Sequence, residues 1–73
     1  MLRVSAGHYR DSFARAVFEV KKYSLPLGTK TEKGWEFSVT KFGIGKTGFS
    51  TKEDAARHAR VAILDRIDAD ARN

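Results

Sequence analysis

The sequence predicts an α+β fold in which a three-stranded antiparallel sheet packs on one C-terminal helix, in the order βββα. Trp35, Phe37 and Val39 alternate with Glu36, Ser38 and Thr40, the period-two pattern of a strand with one buried face, in residue types that suit strands. Gly43 and Gly45 flank Ile44 and supply the backbone freedom of a reversal, after which residues 46–49 return as the next strand and bring Phe49 to the core. Ser50 or Thr51 then caps a helix whose first turn carries Glu53 and Asp54, where carboxylates meet free amides and the positive end of the helix dipole. Ala55, Ala56, Ala59, Ala62, Ile63 and Ile67 fall on one arc of that helix, opposite Asp54, Arg57, His58, Asp65 and Asp68.

The remaining elements follow in chain order. Residues 1–7 alternate Leu2 and Val4 against Arg3 and Ser5, which makes either a short strand or a frayed end. His8, Tyr9, Arg10 and Asp11 form a polar stretch before the apolar pattern of residues 13–23. In period two, Ala16, Phe18 and Val20 share a face opposite Arg15, Glu19 and Lys21. In period 3.6, Phe13, Ala16, Val17, Val20 and Tyr23 form a stripe capped by Asp11 or Ser12, and the fold becomes αββα. The strand is preferred, and Pro26 and Gly28 end the element in either case. Residues 25–33 are then a polar connection, long for a hairpin loop, whose Lys30 and Lys33 suit phosphate contact. Val61 and Leu64 lie off the buried arc of the helix, on a flank or a self-association contact, and residues 70–73 fray.

A chain of 73 residues fits a single small domain, and with no cysteine it has neither a disulfide framework nor a thiolate zinc site to supplement its core. No apolar run reaches the roughly 18 residues that span a bilayer, and residues 1–7 are too short and broken for a signal peptide, so the expectation is a cytoplasmic protein with no membrane contact. The net charge of +5 is unevenly placed. Residues 1–49 hold nine basic groups (Arg3, Arg10, Arg15, Lys21, Lys22, Lys30, Lys33, Lys41, Lys46) against four acidic ones (Asp11, Glu19, Glu32, Glu36), whereas residues 50–73 hold five of each. The excess therefore belongs to the sheet, and it favours polyanionic partners such as nucleic acid.

Several chemistries find no support. His8 and His58 lie far apart and lack the paired spacing of a metal site, so no metal and no cofactor are expected. Ser38 and Thr40 are outward strand positions, and no motif places a base beside a nucleophile. The GKT at Gly45, Lys46 and Thr47 matches the end of a phosphate-binding loop, but Thr40 occupies the place of that motif's first glycine. The chain is expected not to be an enzyme.

The string GWEFSVTKFGIGKTGFSTKEDAARHARVAI resembles the plant-type AP2 domain, with Trp35, Gly48, Phe49, Thr51, Glu53, Ala55 and Ala56 in the corresponding places. It is similar in architecture to the arm-binding N-terminal domain of tyrosine recombinases. Both resemblances imply a three-stranded sheet on one helix, with the open sheet face laid into the DNA major groove. That face would carry Glu36, Ser38, Thr40 and Phe42 from the second strand, Arg15, Glu19, Lys21 and Tyr23 from the first, and Lys46 from the third. The expected function is a small DNA-binding or regulatory module contacting double-stranded DNA. Arg15, Lys21, Lys41 and Lys46 would position phosphates, joined by Lys30 and Lys33 of the connection, while Tyr23 and Phe42 would meet sugars or thymine methyl groups. Strict alternation points Lys41 to the helix side unless the strand ends before it. The alternative is a protein-interaction module, such as a phage-type inhibitor or accessory factor, using a strand edge or the Tyr23 and Phe42 face, as a homodimer or with another protein.

Overall fold

The computed structural model describes residues 1–72 and shows a five-stranded antiparallel sheet backed by one C-terminal helix. The strands are β1 (Leu2–Ser5), β2 (His8–Phe13), β3 (Ala16–Leu27), β4 (Lys30–Val39) and β5 (Ile44–Phe49), neighbours in chain order throughout. A 3₁₀ turn at Thr40–Phe42 joins β4 to β5, and helix α1 runs over Lys52–Arg72, so residues 70–72, expected to fray, are helical, and Asn73 lies outside the described residues. The α+β class with a C-terminal helix is as expected, and residues 13–23 contribute to strands rather than to a helix. The strand number is corrected from three to five, because residues 1–13 form a hairpin that adds two strands beside β3.

Tight turns make this meander. Phe13 pairs with Ala16 across Ala14 and Arg15, both at positive φ (51° and 66°), the backbone twist a two-residue hairpin requires. Leu27 pairs with Lys30 across Gly28 and Thr29, with Gly28 supplying a φ of 64°. The expected polar loop at 25–33 is thereby replaced by strand, turn and strand. Pro26 does not end β3. The Lys22 amide donates to the Gly7 carbonyl at 2.8 Å, on the β2 side, and backbone alternation turns Pro26, which has no N–H, to that same side beyond the end of β2, so no ladder bond is lost.

One face of the sheet carries the core. Ala16, Phe18 and Val20 of β3 and Phe37 and Val39 of β4 are buried against Ala55, Ala56, Ala59 and Ile63 of α1. The alanines let the helix axis lie close to the strands, so the bulk comes from the sheet. Phe18, Ile63, Val20 and Val39 are the largest fully enclosed side chains. Trp35 and Phe49, expected at the centre with Phe37, are only half-buried and pack at its margin with Tyr9, Phe13, Phe42 and Ile44. An extra residue in β5 shifts the register between the pairs Phe37 with Lys46 and Trp35 with Phe49, and Gly48 at φ 94° absorbs it, which returns Phe49 to the helix side. Thr51 Oγ1 accepts from the Asp54 amide at 3.1 Å and fixes the start of α1.

Candidate nucleic-acid interface

β2 and β5 end well before β3 and β4 do. The last pair of β5 is Phe49 with Trp35, and that of β2 is His8 with Lys21. Beyond them residues 23–34 continue as a two-stranded ribbon, paired from Tyr23 with Gly34 to Leu27 with Lys30. Five residues of strand at roughly 3.3 Å each project about 17 Å past the body of the sheet. Ribbon residues from Ser24 to Lys33 are exposed on both faces, and only the root is covered, where Gly34 is buried beneath the Tyr23 ring. A Cβ on Gly34 would lie 2.8 Å from the Tyr23 hydroxyl and 3.2 Å from the Phe49 carbonyl oxygen, so glycine is what allows the ring to cross the strand here.

The register assigns each ribbon side chain to a face. Tyr23, Leu25, Leu27, Lys30 and Glu32 share the open side of the sheet, while Ser24, Pro26, Thr31 and Lys33 share the side of the helix, in line with Lys22 and Trp35. On the ribbon itself Lys30 and Lys33 stand against Glu32, and Lys22 adds a further cation at its root. Lys22, Lys30 and Lys33 have no ion-pair partner among the described residues.

The open face of the main sheet is electrostatically different. Glu19 sits at its centre, 2.6 Å from His8 Nε2, 3.5 Å from Arg10 and 3.6 Å from Lys21. The His8 hydrogen bond holds the Glu19 carboxyl below its ordinary value, assisted by the charges of Lys21, His8 and Arg10 and opposed by partial burial. Register places Glu36 opposite Lys21 on the same face. The cations of this surface are thus largely answered by carboxylates within the sheet.

The eight residues expected to contact DNA do not form one surface. Lys21 and Tyr23 lie on the open face, Lys30 and Lys33 on the ribbon, and Arg15 in the turn between β2 and β3. Lys41 and Phe42 belong to the 3₁₀ turn, with the Lys41 ammonium 5.7 Å from the Phe42 ring. The open-face placement of Arg15, Thr40, Phe42 and Lys46 is corrected, since Arg15 falls in the β2–β3 turn and Thr40 in the 3₁₀ turn. The strand ends at Val39, so alternation does not carry past it; Phe42 packs on the core edge with the Arg66 guanidinium 5.5 Å from its ring. Lys46 pairs with Phe37 and therefore faces the helix, in a shallow groove with His58, Val61, Ala62 and Asp65. His58 is exposed on α1, as its position on the outer arc suggests, with its ring 4.7 Å from that of Phe49.

Lys22 was not among the expected contacts, although it is an unpaired cation at the ribbon root. The signal for it was the density of lysine around a Leu-Gly-Thr-Lys hairpin turn, masked by reading Pro26 as a terminator. No protein-family model, curated protein or solved structure matches the chain, so the likeness to AP2 and arm-binding domains rests on the residues that carry it.

Proposed function

We propose that this chain is a non-catalytic duplex-DNA-binding module whose contact element is the β3–β4 ribbon. The observation that carries the proposal is the ribbon itself: two strands exposed on both faces, with Lys30 and Lys33 along it and Lys22 at its root, none of them ion-paired among the described residues. The B-DNA major groove, about 12 Å wide and 8.5 Å deep, admits a two-stranded ribbon. A two-stranded ribbon is marginal alone in water, so one that projects from a packed domain is readily explained by a partner. Pro26 on the β3 edge of the ribbon blocks strand addition along that edge. Lys22, Lys30 and Lys33 meet phosphates, while Ser24 and Thr31 supply hydroxyls for base edges. The resemblance to AP2 and arm-binding domains supports DNA as the ligand but with a different surface, since the open face holds Glu19 and Glu36. An intracellular location follows from this ligand.

The test is a titration of the chain with labelled duplex DNA across a salt series. Three lysine-to-phosphate contacts give a slope of about −3 in log affinity against log salt, or about 40-fold weaker binding from roughly 50 to 200 mM. No binding at low salt, or binding indifferent to salt, rejects the proposal.

A protein-binding role is favoured by a separate observation. Leu2, Val17, Leu25 and Leu27 are each at least half exposed on the open side of the sheet, and a protein partner or a second copy would cover them. A phage-type inhibitor or accessory factor would use such a face. Light scattering separates the two, since a concentration-dependent dimer without DNA binding fits only the protein role.

No helix among the described residues is long and apolar enough to cross a membrane.

A further inference from the structure

Where the β1–β2 turn meets the root of the ribbon, a notch of about 450 Å³ opens, lined by Ala6, Gly7, Lys22, Tyr23, Ser24 and Lys33. We propose that this notch is a binding site for a phosphate group. Two of its six lining residues are lysines and none is acidic. Lys22 pairs with Trp35 and Lys33 with Ser24, so the two lysines are diagonal neighbours on one face, close enough for both ammonium groups to meet a single ligand. Neither has an ion-pair partner among the described residues.

The turn that closes the notch is built to admit an anion. Gly7 has a φ of +71°, and a Cβ there would come 3.2 Å from the Lys22 Cβ, so the absence of a side chain lets the turn lie directly against the lysine stem. The Gly7 carbonyl, which would repel an anion, is occupied by the Lys22 amide at 2.8 Å. Alternation along β3 turns the Ser24 amide to the same edge as the Lys22 amide, beyond the end of β2, where no strand accepts from it. The Ser24 amide and hydroxyl therefore join two ammonium groups as donors. Lysine serves phosphate as a point charge, and an N–H beside it adds direction.

The same chemistry fits a phosphodiester of the nucleic-acid backbone or a free phosphate or monoester. The diester source rests on the ribbon reading above, in which the notch would grip one backbone phosphate at the lip of the groove and set the depth of insertion. The site itself does not depend on that reading.

The experiment uses the full chain, labelled with nitrogen-15, titrated with inorganic phosphate against chloride at equal ionic strength. Saturable shifts of the Gly7 and Ser24 amide resonances are expected. Lys22→Gln with Lys33→Gln, which keeps the stems that pack on the turn, should abolish those shifts and leave the remaining spectrum unchanged. A parallel arm measures duplex affinity. Loss of the phosphate shifts together with at least tenfold weaker duplex binding establishes a backbone diester as the source. Phosphate shifts without any duplex binding establish the site for free phosphate or a monoester and reject the DNA reading. Absence of shifts, or shifts equally large around Lys41 and Lys46, overturns the site, and duplex binding that persists in the double variant then leaves the ribbon reading intact.

Discussion

Ala14 and Arg15 both adopt the left-handed backbone region that costs an L-residue roughly 1–2 kcal/mol, and they do so only because the two-residue turn between β2 and β3 demands it. Ala14→Asn with Arg15→Gly should therefore raise stability by about 1–2 kcal/mol, read as a higher urea midpoint at unchanged slope. Gly34 is constrained in the opposite sense. Gly34→Ala pushes a Cβ against the Tyr23 ring and the Phe49 carbonyl, and should cost about 1–3 kcal/mol in the same assay. Glu19 gives a pH dependence. Folding lowers its pKa, so its contribution is complete above the ordinary value of about 4.5 and is lost as pH falls through the lower folded value. Unfolding midpoints between about pH 6 and 3 should decline less in Glu19→Gln than in the parent. Sequence marked Arg15 as a phosphate contact and Glu19 as an open-face residue, but not these structural roles, because turn strain, a cross-strand ring over glycine and an ion cluster all depend on register, which a pattern of apolar residues does not specify.

The elements differ in how openly the chain announces them. Helix α1 was legible because its start and its face are both encoded locally, in the Thr51 cap and in the spacing of Ala55, Ala56, Ala59 and Ile63. Ile63→Ala should cost about 2–5 kcal/mol, since the side chain is fully enclosed, whereas Leu64→Ala one position later, half exposed, should change stability by less than about 0.5 kcal/mol. Urea denaturation of the two variants checks this contrast. Strand β2 was hidden because Asp11 lies between Tyr9 and Phe13 on the helix side and breaks the alternation that would mark it. The ribbon was hidden for a different reason. Proline and glycine normally stop a strand, and only the Lys22-to-Gly7 hydrogen bond, a contact between β3 and the preceding turn, fixes the edge to which Pro26 turns its ring nitrogen. Its lysines Lys30 and Lys33 were named by sequence as loop residues, and their strand partners were not.

Taken as a whole, the molecule separates a packed body from a charged projection, across principal extents of 48 × 24 × 17 Å. The helix is electrically balanced, the open face of the sheet answers much of its own charge through Glu19, and the ribbon with its root carries Lys22, Lys30 and Lys33, none of them ion-paired among the described residues. The excess of basic residues in the first two-thirds of the chain was visible from composition, but the projection that Lys30 and Lys33 occupy required the register that carries β3 and β4 past their neighbours. As proposed above, the ribbon, rather than the net charge of the chain, is the DNA contact. The most direct measurement compares two double variants of equal net charge, Lys30→Gln with Lys33→Gln on the ribbon and Lys41→Gln with Lys46→Gln away from it, in duplex titrations across a salt series. The ribbon pair should weaken binding at least tenfold and reduce the salt slope by about 2, with the other pair close to the parent. Equal losses in both pairs would contradict it.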